Sequence, residues 1–143
     1  MIVREVLAQE TYSVRKEVLR NNLPLPEAME GDFEKFTFHL GMFLNTELIG
    51  VATFMKNKNS SFNGVQYQLR GMATCQNYQH RGVGRKLLFK GIAILKKRNV
   101  EVLWCNARVT ALSFYDKLGF ISVGEEFEIH LVGPHFVMFK KLM

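Results

Sequence analysis

The most constraining feature of this chain is a change in the period of its apolar residues. Over residues 35–44 they occupy every second position, with Phe36, Phe38, Leu40, Met42 and Leu44 on one face, the pattern of a strand with one side buried. From Gly84 onward the repeat is helical: Gly84, Leu87, Leu88, Gly91, Ile92 and Leu95 fall at i, i+3, i+4, i+7, i+8 and i+11. Consecutive strands pair as hairpins, whereas strands that alternate with helices need those helices laid across the sheet. The chain is therefore expected to be α/β, with a mixed central sheet and helices on both faces.

Local signals fill in the order. Residues 2–6 form a short apolar opening. Thr11 stands where a helix cap belongs, and the helix behind it carries Val14, Val18 and Leu19 on one side. It should end near Asn21, because the prolines of Leu23-Pro24-Leu25-Pro26 lack amide donors and push their predecessors out of the helical region. Asn45-Thr46 makes a tight turn into a second strand over residues 48–55, where Gly50 and Ala52 leave room for close packing. A punctuated connection over residues 56–64 leads to a third strand, residues 65–74, so three antiparallel strands run in succession. After the amphipathic helix, residues 100–105 read as a buried strand. Residues 110–118 read as a short helix stopped by Gly119, and residues 120–123 and 135–139 as the closing strands. No repeat or linker divides the chain, and residues 1–143 are expected to form one domain.

Composition excludes several classes. With 143 residues, 48% hydrophobic and 12% aromatic, the chain has apolar area enough to fill a core, so overall disorder is excluded. No apolar run approaches the ~20 residues of a membrane span, since Lys90 and Lys96 interrupt the most hydrophobic stretch. Glu5 falls where a secretory signal would begin its apolar segment, and the expected setting is cytoplasmic, away from membranes. Cys75 and Cys105 lie far apart, with no Cys-x-x-Cys pair and no histidine at ligand spacing; both are read as reduced thiols and no metal site is expected. The net charge of +6 attracts anions, whether nucleic acid, acidic protein or a polyphosphate ligand. Arg15, Lys16, Arg20, Lys96, Lys97 and Arg98 would form a surface stripe, but no nucleic-acid-reading motif accompanies them. A solvated face is the preferred reading, and no nucleic-acid partner is expected.

Two constellations carry chemistry. Gln79-His80-Arg81-Gly82-Val83-Gly84-Arg85 joins a strand to a long helix, and its glycines permit close backbone approach to a ligand. The first helical amides are unpaired and carry the positive end of the macrodipole, which suits a phosphate. His80, Arg81, Arg85 and Lys86 crowd that same end, where positive charge opposes the dipole unless an anion is present. The plain alternative is a tight turn with a solvated basic rim. A Walker A loop is excluded because Arg85-Lys86-Leu87 follows Gly84, and a dinucleotide fingerprint because Leu87 replaces its third glycine. The second constellation is the helix bearing Ala111, Phe114, Tyr115 and Leu118, in which Tyr115 reads either as a core tyrosine with its hydroxyl tied off or as a functional group.

Taken together, Gln79-x-x-Gly82-x-Gly84 and the later Phe114-Tyr115-x-Lys117-x-Gly119-Phe120 resemble the GCN5-related N-acetyltransferase superfamily over roughly residues 35–124. Gly124-Glu125-Glu126-Phe127 with Gly133-Pro134-His135 and Met138 is similar to the small bacterial branch typified by the ElaA and YjcF-like acetyltransferases. The resemblance implies a twisted, mostly antiparallel sheet of about six or seven strands. It further implies an acetyl-coenzyme A dependent transfer of acetyl to a primary amine of a small molecule or peptide, with a homodimer a possible assembly. Met72, Ala73 and Thr74 would pair with the pantetheine arm, and Gln79, His80, Arg81, Gly82, Val83, Gly84 and Arg85 would hold the pyrophosphate. Lys86 or a neighbouring base would meet the remaining phosphate. Tyr115 takes the role of the acid that protonates the departing thiolate.

The chain departs from that family's pattern at two positions. Many members place an asparagine seven residues before the tyrosine, where this chain has Arg108; Asn106 is the nearest amide and is assigned to the cofactor. Where some members carry a glutamate base this chain has Leu103, which leaves Glu126, Glu128, His39, His135 or bulk water to take the proton. The acceptor pocket is expected from the first helix, residues 23–30 and a loop over residues 125–135, with Glu27, Glu30 and Asp32 as attractors for a cationic amine. No cysteine relay is read. A non-catalytic acyl-coenzyme A sensor of the same fold is the alternative class.

Overall fold

The structure, a computed structural model that describes residues 1–20 and 23–143, places the change of period at the change from hairpins to crossover. The strands are β1 (Ile2–Val6), β2 (Phe38–Leu44), β3 (Glu47–Lys56), β4 (Gln66–Thr74), β5 (Val102–Arg108), β6 (Ile121–Ile129) and β7 (Gly133–Lys141). The helices are α1 (Tyr12–Val18), α2 (Val83–Lys97) and α3 (Leu112–Lys117). The strands form one seven-stranded sheet in the order β1-β2-β3-β4-β5-β7-β6, in which β4 and β5 are parallel and every other pair is antiparallel. The expected mixed, mostly antiparallel sheet flanked by helices is the one observed.

Alternation along the strands sorts the two faces. Leu40, Met42, Ala52, Phe54, Leu69, Leu103 and Cys105 turn toward α2 and pack with Leu87, Leu88 and Leu95, which are fully buried. Each such side chain removed from water stabilises the fold by about 1.5–3 kcal/mol. Gly50 admits the close approach read from the sequence, since a Cβ there would lie 2.6 Å from Val83 Cγ1. The opposite face takes α1, whose Val14 packs on Val51 and Ala73. The two groups of basic residues on α1 and α2 therefore lie on opposite faces and do not join into one stripe.

Three local expectations are corrected. The strand expected over residues 35–44 begins at Phe38, because Thr37 N bonds back to Glu34 O at 3.1 Å in a turn that leaves Phe36 half exposed. The expected loop over residues 125–135 is instead a hairpin of β6 and β7. Gly124 (φ 78) and its acidic neighbours form a bulge, with register running from Val123↔Val137 to Phe127↔His135. An edge strand bearing Glu125, Glu126 and Glu128 looks like a loop because its charges discourage further pairing. Arg15 is buried rather than on the surface: its guanidinium meets Asp32 at 2.8 and 3.0 Å and Thr53 Oγ1 at 2.7 Å. The expected end of the first helix at Asn21 lies outside the described residues, and α1 covers Tyr12–Val18.

Candidate active site

The only parallel pair among the described residues is short. Its register runs from Gln66↔Val102 to Leu69↔Cys105 and stops, although β4 continues to Thr74 and β5 to Arg108. Beyond Leu69 the edge of β4 that faces β5 has no strand partner, while its other edge remains paired through Val51↔Ala73 and Gly50↔Thr74. The parting coincides with a bulge in β4 between Arg70 and Ala73, where Gly71 adopts φ 57. Gly71 is required there on two counts, since its backbone is left-handed and a Cβ would lie 2.9 Å from Arg15 Nε.

The parted strands enclose a cavity of about 410 Å³. Met72, Cys105, Ala107, Ala111 and Tyr115 line it from the side of α2 and α3. By alternation Arg70, Asn106, Arg108 and His135 reach it from the α1 side, joined by Leu19, Arg20, Leu25 and Met29 and by Ile129, His130 and Val132 at the β6–β7 turn. The segment just after α1, residues 23–30 and the β6–β7 turn thus converge on one cavity. Arg20, Arg70 and His130 were not singled out in the sequence as cavity residues. No local pattern marks them, because they meet only through the tertiary arrangement.

At the end of β4 the chain turns into α2. Gln79 Nε2 donates to Thr74 O at 3.1 Å, tying the loop to the strand, and His80 and Gly82 take φ 63 and 80. The first helix-type bond runs from Lys86 N to Gly82 O at 3.0 Å, so the amides of Val83, Gly84 and Arg85 precede the helical ladder. A Cβ on Gly82 would meet no atom within 4 Å, so the space beside this residue at the head of the helix is open. Among the first turn's residues none is acidic, and Arg81 and Arg85 stand at the rim over the Tyr78 and Phe89 rings at 5.5 and 5.1 Å. Such a cradle fits a phosphate. Gly84 lies where α2, α3 and β4 meet: a Cβ there would be 3.3 Å from Phe114 and 3.9 Å from Met72 Sδ. The other loop residues expected at the cofactor are placed along this turn. Gln79, His80, Arg81, Gly82 and Arg85 are exposed and Val83 is buried, while Ala73 is buried between β3 and α1.

Tyr115 is held edge-on between Phe114 and Phe120, at centroid distances of 5.1 and 5.3 Å. Burial pushes its hydroxyl pKa well above the ordinary 10.0, so the group keeps its proton at neutral pH. The hydroxyls of Tyr67 and Tyr78 bond to Phe36 O and Glu47, whereas that of Tyr115 has no protein partner among the described residues. The tied-off core tyrosine is thus not what the fold contains.

The base candidates separate. His39 is buried with both ring nitrogens engaged, Nδ1 by Thr53 Oγ1 at 2.7 Å and Nε2 by Asp32 O at 3.0 Å, and it lies outside the cavity. Glu126 and Glu128 are exposed on β6 and do not line the cavity, and Leu103 is core. His135 does line it. Its Nδ1 lies 2.7 Å from Gly133 O, a pure acceptor, so Nδ1 carries the proton and Nε2 keeps a free lone pair in the neutral ring. Asp32, expected to attract an amine, is neutralised by Arg15. Burial raises its pKa, but hydrogen bonds from Arg15 and Met29 N outweigh that and leave it below the ordinary value. Neither thiol is activated: burial pushes Cys105 up to about 12, and burial with Glu17 raises Cys75.

A sheet split between its two parallel strands, with a helix N-terminus at the mouth of the split, is the architecture of the acyl-CoA N-acyltransferase fold. The chain belongs to the acetyltransferase (GNAT) family, whose domain model matches residues 6–141. It is 33% identical over 142 residues to the uncharacterized N-acetyltransferase YitI of Bacillus subtilis (strain 168), covering 98% of this chain and 95% of that one. Escherichia coli ElaA superposes with a TM-score of 0.81 at 18% identity, over 98% of this chain and 99% of that one. An aminoglycoside 6'-N-acetyltransferase complexed with coenzyme A superposes with a TM-score of 0.74 at 14% identity, over 100% and 98% of the two chains. The last two likenesses are of fold. The superfamily resemblance read from the loop and the Phe-Tyr pair is borne out, and the protein is an acyltransferase of the N-acetyltransferase kind.

Proposed function

We propose that the protein transfers acetyl from acetyl-coenzyme A to a primary amine by direct attack inside the cavity between β4 and β5. The observation that carries this reading is the coincidence of three features at one opening: the amide cradle before α2, the unpaired edge of β4, and the protonated Tyr115. Acetyl-coenzyme A bound there supplies a thioester carbonyl open to an amine.

The residues divide the work. The amides of residues 82–85 with Arg81 and Arg85 hold the pyrophosphate, and the free edge of β4 at Met72 and Thr74 orients the pantetheine arm. Asn106 approaches the same arm from the other wall. His135 Nε2 takes the proton that the amine loses as its nitrogen bonds to the carbonyl carbon. Tyr115 gives its hydroxyl proton to the sulfur as the carbon–sulfur bond breaks, and regains one from solvent. The raised pKa of Cys75 and the burial of Cys105 weigh against a covalent acetyl-enzyme.

The test pairs two variants. Tyr115→Phe should lower turnover about 10²–10⁴-fold while leaving the coenzyme A dissociation constant unchanged. Gly82→Glu should abolish coenzyme A binding by calorimetry, because it sets a carboxylate beside the amides and strains a backbone held at φ 80. Undiminished turnover in Tyr115→Phe would remove the acid from Tyr115. Coenzyme A binding without acetylation of any amine would make the protein a sensor.

A further inference from the structure

The α1-side wall of the cavity carries Arg20, Arg70, Arg108, His130 and His135 and no carboxylate. Among the described residues none of the three arginines forms an ion pair with an acid. Arg70 Nη1 donates to the carbonyl of Glu30 at 2.7 Å, Arg108 Nη2 donates to the carbonyl of Leu19, and Arg20 Nε is buried with no partner among the described residues. The single ion pair among the described residues, Arg15 with Asp32, already consumes the nearest buried acid, and Glu30 is exposed.

Burial lowers the pKa of all three guanidinium groups; Arg15 adds to the effect on Arg20 and on Arg70, and Asp32 opposes it on both. Glu30 also opposes it on Arg70, yet burial prevails on all three: these are charges held partly out of water with incomplete compensation, an arrangement that costs folding free energy and that an incoming anion relieves. The remainder of this wall is the two amides Gln68 and Asn106 and an apolar part from Leu19, Leu25, Met29, Ile129 and Val132.

We propose that the acceptor is an amine that also carries an anionic group, a carboxylate or a phosphate, on an apolar body, with Arg20, Arg70 and Arg108 receiving the anion. The inference rests on the acetyl transfer proposed above and names its acceptor class. It replaces the expectation of a cation-attracting pocket: Asp32 is spent on Arg15, and Glu27 and Glu30 do not line the cavity. The same arginines aid the reaction, because positive charge nearby disfavours the ammonium form and keeps the attacking nitrogen neutral. Polyamines and aminoglycosides, being polycations, are disfavoured by this wall.

The experiment compares matched acceptors in a thiol-release assay with acetyl-coenzyme A: L-leucine against L-leucinamide, 2-aminoethyl phosphate against ethanolamine, and spermidine. The anionic member of a pair should have the higher kcat/KM by about ten- to a hundredfold, the worth of a charged hydrogen bond. The bias of intrinsic reactivity runs the other way for leucinamide, whose less basic amine is more fully deprotonated near neutrality. Preference within the first pair assigns a carboxylate, and preference within the second a phosphate. Equal or better use of the neutral member in both pairs, or better use of spermidine than of either anionic acceptor, overturns the proposal. Arg70→Gln should raise KM for the preferred acceptor about tenfold or more while leaving coenzyme A affinity unchanged.

Calorimetry separates this proposal from the reading beneath it. With coenzyme A present, N-acetyl-L-leucine should bind more tightly than its amide, or O-phospho-N-acetylethanolamine more tightly than N-acetylethanolamine, even if no amine is turned over. Such preferential binding without turnover would sink the transferase and keep the anion site, whereas indifference to the anion in both pairs would sink the anion site alone.

Discussion

Replacing Asp32 by asparagine removes the charge from a carboxylate that accepts two hydrogen bonds from Arg15 and one from Met29 N, without changing its shape. The Arg15 and Asp32 side chains are each 1% exposed, so the guanidinium left behind has neither water nor counter-charge and retains only Thr53 as a strong partner. Stranding a buried charge in this way costs about 3–5 kcal/mol. For a domain of 143 residues the unfolding entropy is roughly 0.3 kcal/mol per kelvin, which converts the loss into a fall in Tm of about 10–17 °C. Differential scanning calorimetry of the wild type, Asp32→Asn and Arg15→Met/Asp32→Asn measures it. The double variant should melt above Asp32→Asn alone, because its second substitution removes the stranded charge. The wild-type carboxyl pKa is lowered by folding, so its stabilisation is complete above the ordinary value of 3.8 and is lost as pH falls through the folded value. A loss under 1 kcal/mol in Asp32→Asn, or a double variant that melts at or below Asp32→Asn, would refute the argument. Because Met29 N is bonded to Asp32 and Met29 lines the cavity, the variant should also raise the acceptor KM while sparing coenzyme A affinity.

Two further outcomes follow from the core. Cys105 titrates at about 12 in the folded protein against 9.0 ordinarily, so the unfolded chain releases its proton first as pH rises, and stability should fall between these values by about 4 kcal/mol in all. Tyr115 adds to the loss above 10.0, and Cys105→Ala should flatten the slope of Tm against pH between 9 and 10; an unchanged slope would place the alkaline sensitivity elsewhere. Gly91→Ala on α2 gains about 1 kcal/mol of helix propensity, but its Cβ would lie 2.0 Å from Phe54 Cζ, and overpacking of the fully buried Phe54 should prevail by about 2 kcal/mol net. Urea titration of Gly91→Ala against the wild type reads that balance, and a stabilised variant would contradict it.

What could be read in advance divides along sequence distance. The stripe of Leu87, Leu88, Ile92 and Leu95, the hairpin at Asn45-Thr46 and the stop at Gly119 are set by neighbours within a turn or two, and each was visible as a spacing. Arg15 meeting Asp32 was not visible, because a buried charge is recognised only through its partner, and the sequence offers both as ordinary surface charges. The same holds for Arg20 and Arg70, whereas Arg108 was marked only by standing where the family usually has an asparagine. The three lie on different elements and converge only because β4 and β5 part between them. His130 carries no local signal at all, since the hairpin that presents it was read as a loop.

The cradle and the split follow from one topological requirement. Two parallel neighbours need a crossover, and a helix makes it most economically when it packs on one face and runs back antiparallel to the strands. α2 is that crossover: it leaves the C-terminal end of β4 and returns the chain to the start of β5. Its N-terminus, with unpaired amides, must therefore lie at the end of β4, the end where the bulge at Gly71 releases the pairing with β5. An anion cradle and an unpaired strand edge thus fall side by side, with Gly71 the residue that permits the release. The arrangement exposes Tyr115 on one wall and the arginines on the other. On the proposed reading the fold accounts for the donor end of the site, whereas the acceptor end depends on Leu19, Arg20, residues 23–30 and the β6–β7 turn. Substitution of Arg20, Arg70 or Arg108 should then alter which amine is used far more than whether coenzyme A is bound.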